Sequence, residues 1–250
     1  MQLNQIEEKI MAKKKSSRTI VGTPLTPVLL GELKALDKLP QTPADFKPDG
    51  NWVNSYHIWT CHGYRESGNQ DVGSLRIERL AGTANETFTL KVNQQVDQTD
   101  GLTNIVDAVV KCRNNQLASP IQWEVSSRFI GADGKKIAKL QSNDSNTATE
   151  SVDRKTSDWC LFELVQRLKF NESIDLAFDL LDGLSIAKQN QRLKYRGAET
   201  AKLGDRQARL HCFSQIGRGI LPTEYWLDDN HRLLLVCSMN KAYILNKPGK

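Results

Sequence analysis

Apolar and polar residues alternate with a period of two along much of the chain. Phe88, Leu90 and Val92 are separated by Thr89 and Lys91, and Ile121, Trp123, Val125, Ser127 and Phe129 by Gln122, Glu124, Ser126 and Arg128. Successive side chains of a strand point to opposite faces, so this pattern predicts β-strands with one buried face. It returns at Ala208, Leu210, Cys212, Ser214 and Ile216, interleaved with Gln207, Arg209, His211, Phe213 and Gln215. Strands are expected near 53–62, 72–80, 86–96, 104–113, 121–130 and 135–141, separated by turn residues such as Asp100-Gly101, Asn114-Asn115 and Asp133-Gly134. A second group is expected near 190–196, 206–216, 220–228, 231–238 and 241–246, with Asp229-Asn230 as a hairpin turn.

Between the two groups the period changes. Leu161, Leu164, Val165 and Leu168 recur at three- and four-residue intervals beside Trp159 and Phe162, which predicts an amphipathic helix capped by Ser157 or Asp158. The segment 173–181 fits a helix through Ile174, Phe178 and Leu181, and fits a strand through Ile174, Leu176, Phe178 and Leu180. The order strands, helix, strands gives a mainly β, α+β fold: a curved antiparallel sheet or half-barrel with one or two helices packed on its concave face. Residues 1–50 are rich in Lys, Thr and Pro and read as a partly disordered arm, with a short helix at Leu29, Leu30, Leu33 and Leu36. Residues 51–250 read as a single β-rich domain with a mobile loop near 141–156.

Charge narrows the choice of partner. The formal +5 is carried by the ends, +3 in residues 1–20 and +3 in 241–250, which leaves the body at −1. A near-neutral body has no basic stripe to track phosphates, so no nucleic-acid partner is expected. No stretch approaches the roughly 18 apolar residues of a membrane-spanning helix. Lys13 to Lys15 followed by Thr19-Ile20-Val21 and Val28-Leu29-Leu30 imitates an export signal, but Pro24 and Pro27 interrupt the apolar segment and no small-x-small site follows. The compartment therefore stays open, envelope with a signal from elsewhere or cytoplasm without one.

Candidate chemistry is sparse. The five cysteines, at 61, 112, 160, 212 and 237, have no metal-pair spacing and read as buried thiols, and no cofactor is implied. In the segment 56–62, His57 and His62 point to opposite faces of a strand and cannot share a metal without a bulge. Asp175, Asp179 and Asp182 would share one face if their segment were helical, and read as a solvated acidic face. The stretch 224–232 is dense in functional types: Glu224, Asp228 and His231 are acid-base candidates, with Trp226 as a stacking platform.

The residues Tyr195-Arg196-Gly197-Ala198-Glu199, Gly217-Arg218-Gly219, Tyr225-Trp226-Leu227-Asp228 and His231-Arg232-Leu233-Leu234 resemble the C-terminal half of uncharacterised bacterial envelope proteins. Those are similar in outline to lipoprotein carriers of the LolA and LolB kind, antiparallel half-barrels plugged by helices. The resemblance implies an envelope protein and carries over no catalytic residue. Two functional classes follow. One is a non-catalytic protein holding a lipid-like, apolar or amphipathic ligand between sheet and helix, lined by Trp123, Phe129, Trp159, Phe162, Leu164 and Trp226. The alternative is a carbohydrate- or ester-active enzyme using Glu224, Asp228 and His231.

Overall fold

The computed structural model describes residues 39–60, 70–83, 86–131, 133–145, 154–203 and 206–246. Six strands form a first meander: β1 (Trp52–Thr60), β2 (Gln70–Ala81), β3 (Thr87–Asp97), β4 (Thr103–Arg113), β5 (Pro120–Ile130) and β6 (Lys136–Ser145). A short β7 (Lys155–Ser157) leads directly into the helix α1 (Asp158–Arg167). The second meander is β8 (Asp175–Asp182), β9 (Ile186–Leu203), β10 (Arg206–Gly217), β11 (Thr223–Leu227), β12 (Leu233–Cys237) and β13 (Lys241–Asn246).

Both meanders belong to one 13-stranded sheet, in the order β6-β5-β4-β3-β2-β1-β13-β12-β11-β10-β9-β8-β7. They are joined where β1 pairs antiparallel with β13, from Ser55 opposite Asn246 to Thr60 opposite Lys241. All neighbours are antiparallel except β7 and β8, which the helix connects as a parallel pair. The sheet curls until β7 lies against β5, giving a nearly closed barrel. The expected half-barrel is thus closed further than the sequence pattern implied, because the β1–β13 ladder turns two open meanders into one continuous wall.

The alternation in β3 places residues as expected, with Phe88, Leu90 and Val92 buried; of the alternating residues in β5 only Trp123 is buried, while Ile121, Val125, Ser127 and Phe129 are half-buried like Ser126 and Arg128 between them. The segment 173–181 resolves as strand β8, held by its ladder to β9. Its acids consequently disperse. Asp175 pairs with Arg192 and Lys194, Asp179 accepts from the Asn190 backbone N–H, and Asp182 pairs with Lys188. Of the loop anticipated near 141–156, residues 141–145 belong to β6 and 155–156 to β7, and 146–153 lie outside the described residues. The short helix expected near 29–36, most of the expected arm, Cys61 and His62 lie outside the described residues. His57 is half-exposed and lies 2.8 Å from Asp71.

Helix α1 begins where Ser157 accepts a hydrogen bond from the Cys160 backbone N–H at 3.1 Å, a side-chain cap. It is the only helix among the described residues, and eight of its ten residues, from Trp159 to Gln166, are buried. Periodicity predicts a polar outer side, but Glu163 and Gln166, on that side, are fully buried too. The reason is enclosure: the helix plugs the lumen and meets wall on every side. Phe162 packs edge-on against Tyr56 of β1, Tyr225 of β11 and Tyr243 of β13, with ring centroids 5.3, 6.3 and 5.4 Å away. Cys160 faces Cys112 of β4 across 3.5 Å, both thiols free and buried.

The polar residues of the plug have partners supplied by the wall. The Glu163 Oε1 oxygen takes Arg79 of β2 at 2.8 Å and Arg167 of the helix itself at 2.6 Å, while its Oε2 has no hydrogen-bond partner among the described residues. The Arg79 guanidinium also donates to the Gly50 carbonyl at 2.9 Å and stacks over Phe88 at 4.4 Å. The Gln166 amide oxygen accepts from Asn54 at 3.3 Å and from the Leu233 backbone N–H at 3.1 Å, and Asn54 in turn accepts from Arg232 at 3.2 Å. A buried charge is tolerated only when paired in this way.

Candidate functional site

At the N-terminal end of α1 the barrel stays open. A pocket of about 350 Å³ lies between the first turn of the helix and the wall. Trp159 and Phe162 supply its helix side, Leu180, Tyr225, Val236 and Tyr243 its wall. Asp158, Asp182, Lys188, Gln215 and Lys241 add polar groups, and Ile220 with the exposed Leu221 forms an apolar lip on the β10–β11 loop. Apolar walls with a few converging polar groups are the usual composition of a small-molecule site, and the volume is at the lower end of the usual range.

The local folding explains the placement. Thr223 and Tyr225 share one face of β11, and the contact of Tyr225 with Phe162 shows that this face looks at the helix. The Tyr225 hydroxyl donates to Gln215 of β10 at 2.8 Å, which fixes both side chains across the strand pair. Lys188 reaches Asp182 at 2.5 Å across the β8–β9 turn. The Lys241 ammonium stands 5.8 Å from the centre of the Tyr243 ring.

Asp158 is the first residue of the helix and is only partly exposed, toward the pocket. Burial pushes its carboxyl up to about 7, and the nearby Asp182 adds to the rise. The backbone N–H groups of Trp159 and Gly183 oppose it, the latter donating to Asp158 at 3.2 Å, without bringing the value back. Burial also raises the hydroxyls of Tyr225 and Tyr243, so both stay protonated as donors at neutral pH. Among the described residues no cation pairs with Asp158, whereas Asp182 has Lys188.

The residues named from sequence separate into several places. Trp159 and Phe162 line the pocket; Leu164 is buried elsewhere on α1, Trp123 is buried on β5, and Phe129 is a half-buried residue of β5 outside the pocket. Trp226 and Glu224 alternate with Tyr225 and so occupy the face of β11 turned away from the helix. Glu224 is held there at about 7, by burial first and by Glu199 second, with Arg196 and the Trp226 indole acting against them.

Asp228 and His231 sit at the β11–β12 turn, near the other end of the helix. The Asp228 carboxylate is spent on structure: it accepts from the backbone N–H groups of Asn230 and Arg232, both at 3.0 Å, and from the Thr42 hydroxyl. His231 adopts φ of +64° in this turn. Its ring stacks on Phe170 at 3.9 Å, and burial followed by the neighbouring His211 lowers its basicity. His211 covers the other face of Phe170 at 3.6 Å, donating or accepting between Tyr195 at 2.7 Å and Asp229 at 2.9 Å. Glu224 is not part of this group, so the three acid-base candidates do not converge on one point. Sequence reasoning took Asp158 only as a cap and Tyr225 only as part of the resemblance, and passed over Lys188 and Tyr243, which carry no local motif.

No family model and no curated relative matches the chain. Among solved structures it is similar to a β-barrel-like protein of the domain of unknown function DUF1849 from Brucella abortus. The two share 9% sequence identity and a TM-score of 0.46, over 79% of this chain and 96% of that one.

Proposed function

We propose that this is a non-catalytic binding protein that takes an apolar or amphipathic, lipid-like ligand into the mouth pocket, between the sheet and the first turn of its helix. The observation that carries the reading is the composition of that pocket: Trp159, Phe162, Leu180, Tyr225 and Tyr243 around about 350 Å³, with charged groups gathered beside them. Apolar walls favour an apolar body, and the polar groups fix its orientation. The size suits one short chain or ring system, so a longer ligand would leave its remainder over the lip at Ile220 and Leu221. The absence of convergence among Glu224, Asp228 and His231 weighs against the enzyme alternative. The bacterial-envelope part of the reading rests on the sequence resemblance over 195–245 alone.

Native mass spectrometry of the freshly purified protein, followed by organic extraction, tests this directly. A stoichiometric amphiphile, or a rise in melting temperature with added single-chain amphiphiles, is the expected result, because binding to the folded state stabilises it. Thr223→Trp, which fills the pocket from β11, is expected to abolish that rise. An apo mass together with no thermal response to any single-chain amphiphile overturns the proposal.

A further inference from the structure

Resting on that reading of the mouth pocket, we propose that its ligand carries a positively charged amine or quaternary ammonium, held by the Asp158 carboxylate against the rings of Phe162, Tyr225 and Tyr243. Three aromatic rings meet at this place, with Phe162 perpendicular to both tyrosines at interplanar angles of 89° and 87°. The face of an aromatic ring is its electron-rich side and attracts cations, most strongly where water is excluded. The Tyr243 face already draws the Lys241 ammonium to 5.8 Å.

The carboxylates divide the work. Asp182 is neutralised by Lys188 at 2.5 Å and needs nothing from a ligand. Asp158 lines the same pocket as Tyr225 and Tyr243, whose hydroxyls both feel its charge, and among the described residues its donors are backbone N–H groups. The positive end of the helix dipole lies behind it and favours the ionised form, yet burial and Asp182 still prevail. A ligand cation would supply the one interaction this carboxylate lacks. An anionic head group would find no donor at Asp158, with Lys188 already held by Asp182, and would be left with Lys241 over the Tyr243 ring.

Binding of such a cation must be linked to the ionisation of Asp158. The charged or titratable groups facing it are Asp182 on β8, Lys188 on β9, Tyr225 on β11, and Lys241 and Tyr243 on β13. The two tyrosines are raised and stay neutral. The carboxyl of Asp158, pushed up to about 7, is the group that titrates in the working range.

The test is calorimetry with three eight-carbon amphiphiles that differ only in the head: octyltrimethylammonium, octyl glucoside and octanoate. At pH 8 the ammonium is expected to bind at least roughly tenfold more tightly than the other two. Its affinity should fall roughly tenfold between pH 8 and pH 6 as Asp158 takes up a proton, while the charge of the quaternary head does not change. Asp158→Asn should remove the preference yet still bind octyl glucoside, which also shows that the variant is folded. Glu224→Gln, an equally raised carboxyl on the far face of β11, should change nothing. If the glucoside or octanoate binds as tightly as the ammonium, or if Asp158→Asn leaves the preference intact, the head-group inference is overturned and the pocket reading survives. If none of the three binds, the pocket reading itself fails.

Discussion

Toward the C-terminal half of the central helix, buried polar groups of plug and wall answer one another: Glu163 with Arg79 and Arg167, Gln166 with Asn54 and Leu233, Asn54 with Arg232. At the N-terminal end the same helix presents Asp158 to an open pocket, with no cation paired to it among the described residues and aromatic rings in the same lining. Both ends of the helix carry an acid, but only Glu163 is paired with cations. The difference teaches where stability and function separate in a plugged barrel. The acid paired with two arginines fixes the plug, and a carboxyl at the mouth that has backbone donors but no cation costs stability until something binds.

Breaking the satisfied end should have the largest effect. Arg79→Ala leaves Glu163 with one of its two partners, and removing one member of a buried pair costs about 3–5 kcal/mol, read as a lowered urea midpoint. Gln166→Leu is expected to cost about 1–3 kcal/mol, because the Leu233 N–H and the Asn54 amide lose their acceptor; the same unfolding experiment measures it, with the denaturant slope unchanged.

The mouth, through Asp158, and the far face of β11, through Glu224, should respond to pH instead. The folded chain holds the Asp158 and Glu224 protons up to about 7, whereas ordinary carboxyls release theirs near ~4. Stability therefore falls as pH rises through that window and is lowest above it. Asp158→Asn and Glu224→Gln should each recover on the order of 1–2 kcal/mol at pH 8 after solvent screening, and nothing at pH 4. If Asp158→Asn does not lessen the fall in unfolding free energy between pH 4 and pH 8, the picture of the mouth as a destabilised end is wrong. The smallest expected effect sharpens the comparison further: Lys241→Gln removes a competing ammonium from the Tyr243 face and should tighten octyltrimethylammonium binding a few-fold, with the melting temperature nearly unchanged.

Much of the wall could be read from the chain because its information is local. Phe88, Leu90, Val92 and Trp123 declare their face by alternation, and Ser157 followed by the Leu161, Leu164, Val165 series declares the helix and its start. The segment 173–181 was ambiguous because Ile174 and Phe178 satisfy both periods, and only pairing with β9 decides between them. In β10 the alternation marks Leu210 and Cys212 as buried, which they are, but Phe213 and Gln215 on the other face are buried as well and look toward the plug. A strand with both faces covered has no period that distinguishes them. The pocket was illegible for a different reason. Asp158, Lys188, Tyr225 and Tyr243 come from four elements that meet only once the barrel closes around the helix. The denser run at 224–232 attracted attention instead, and alternation distributes it over two faces and a turn.

The pairing of β1 with β13 also constrains the order in which the molecule can be made. The helix lies in the chain between the two meanders, so it emerges during synthesis after half of its wall and before the other half. Its tyrosine neighbours from β11 and β13 and its Leu233 donor do not yet exist at that moment. Until β13 finds β1 across nearly the whole length of the described chain, the eight residues now buried on α1 have only one side covered. Such long-range closure makes for slow folding and a transiently exposed apolar surface on the plug.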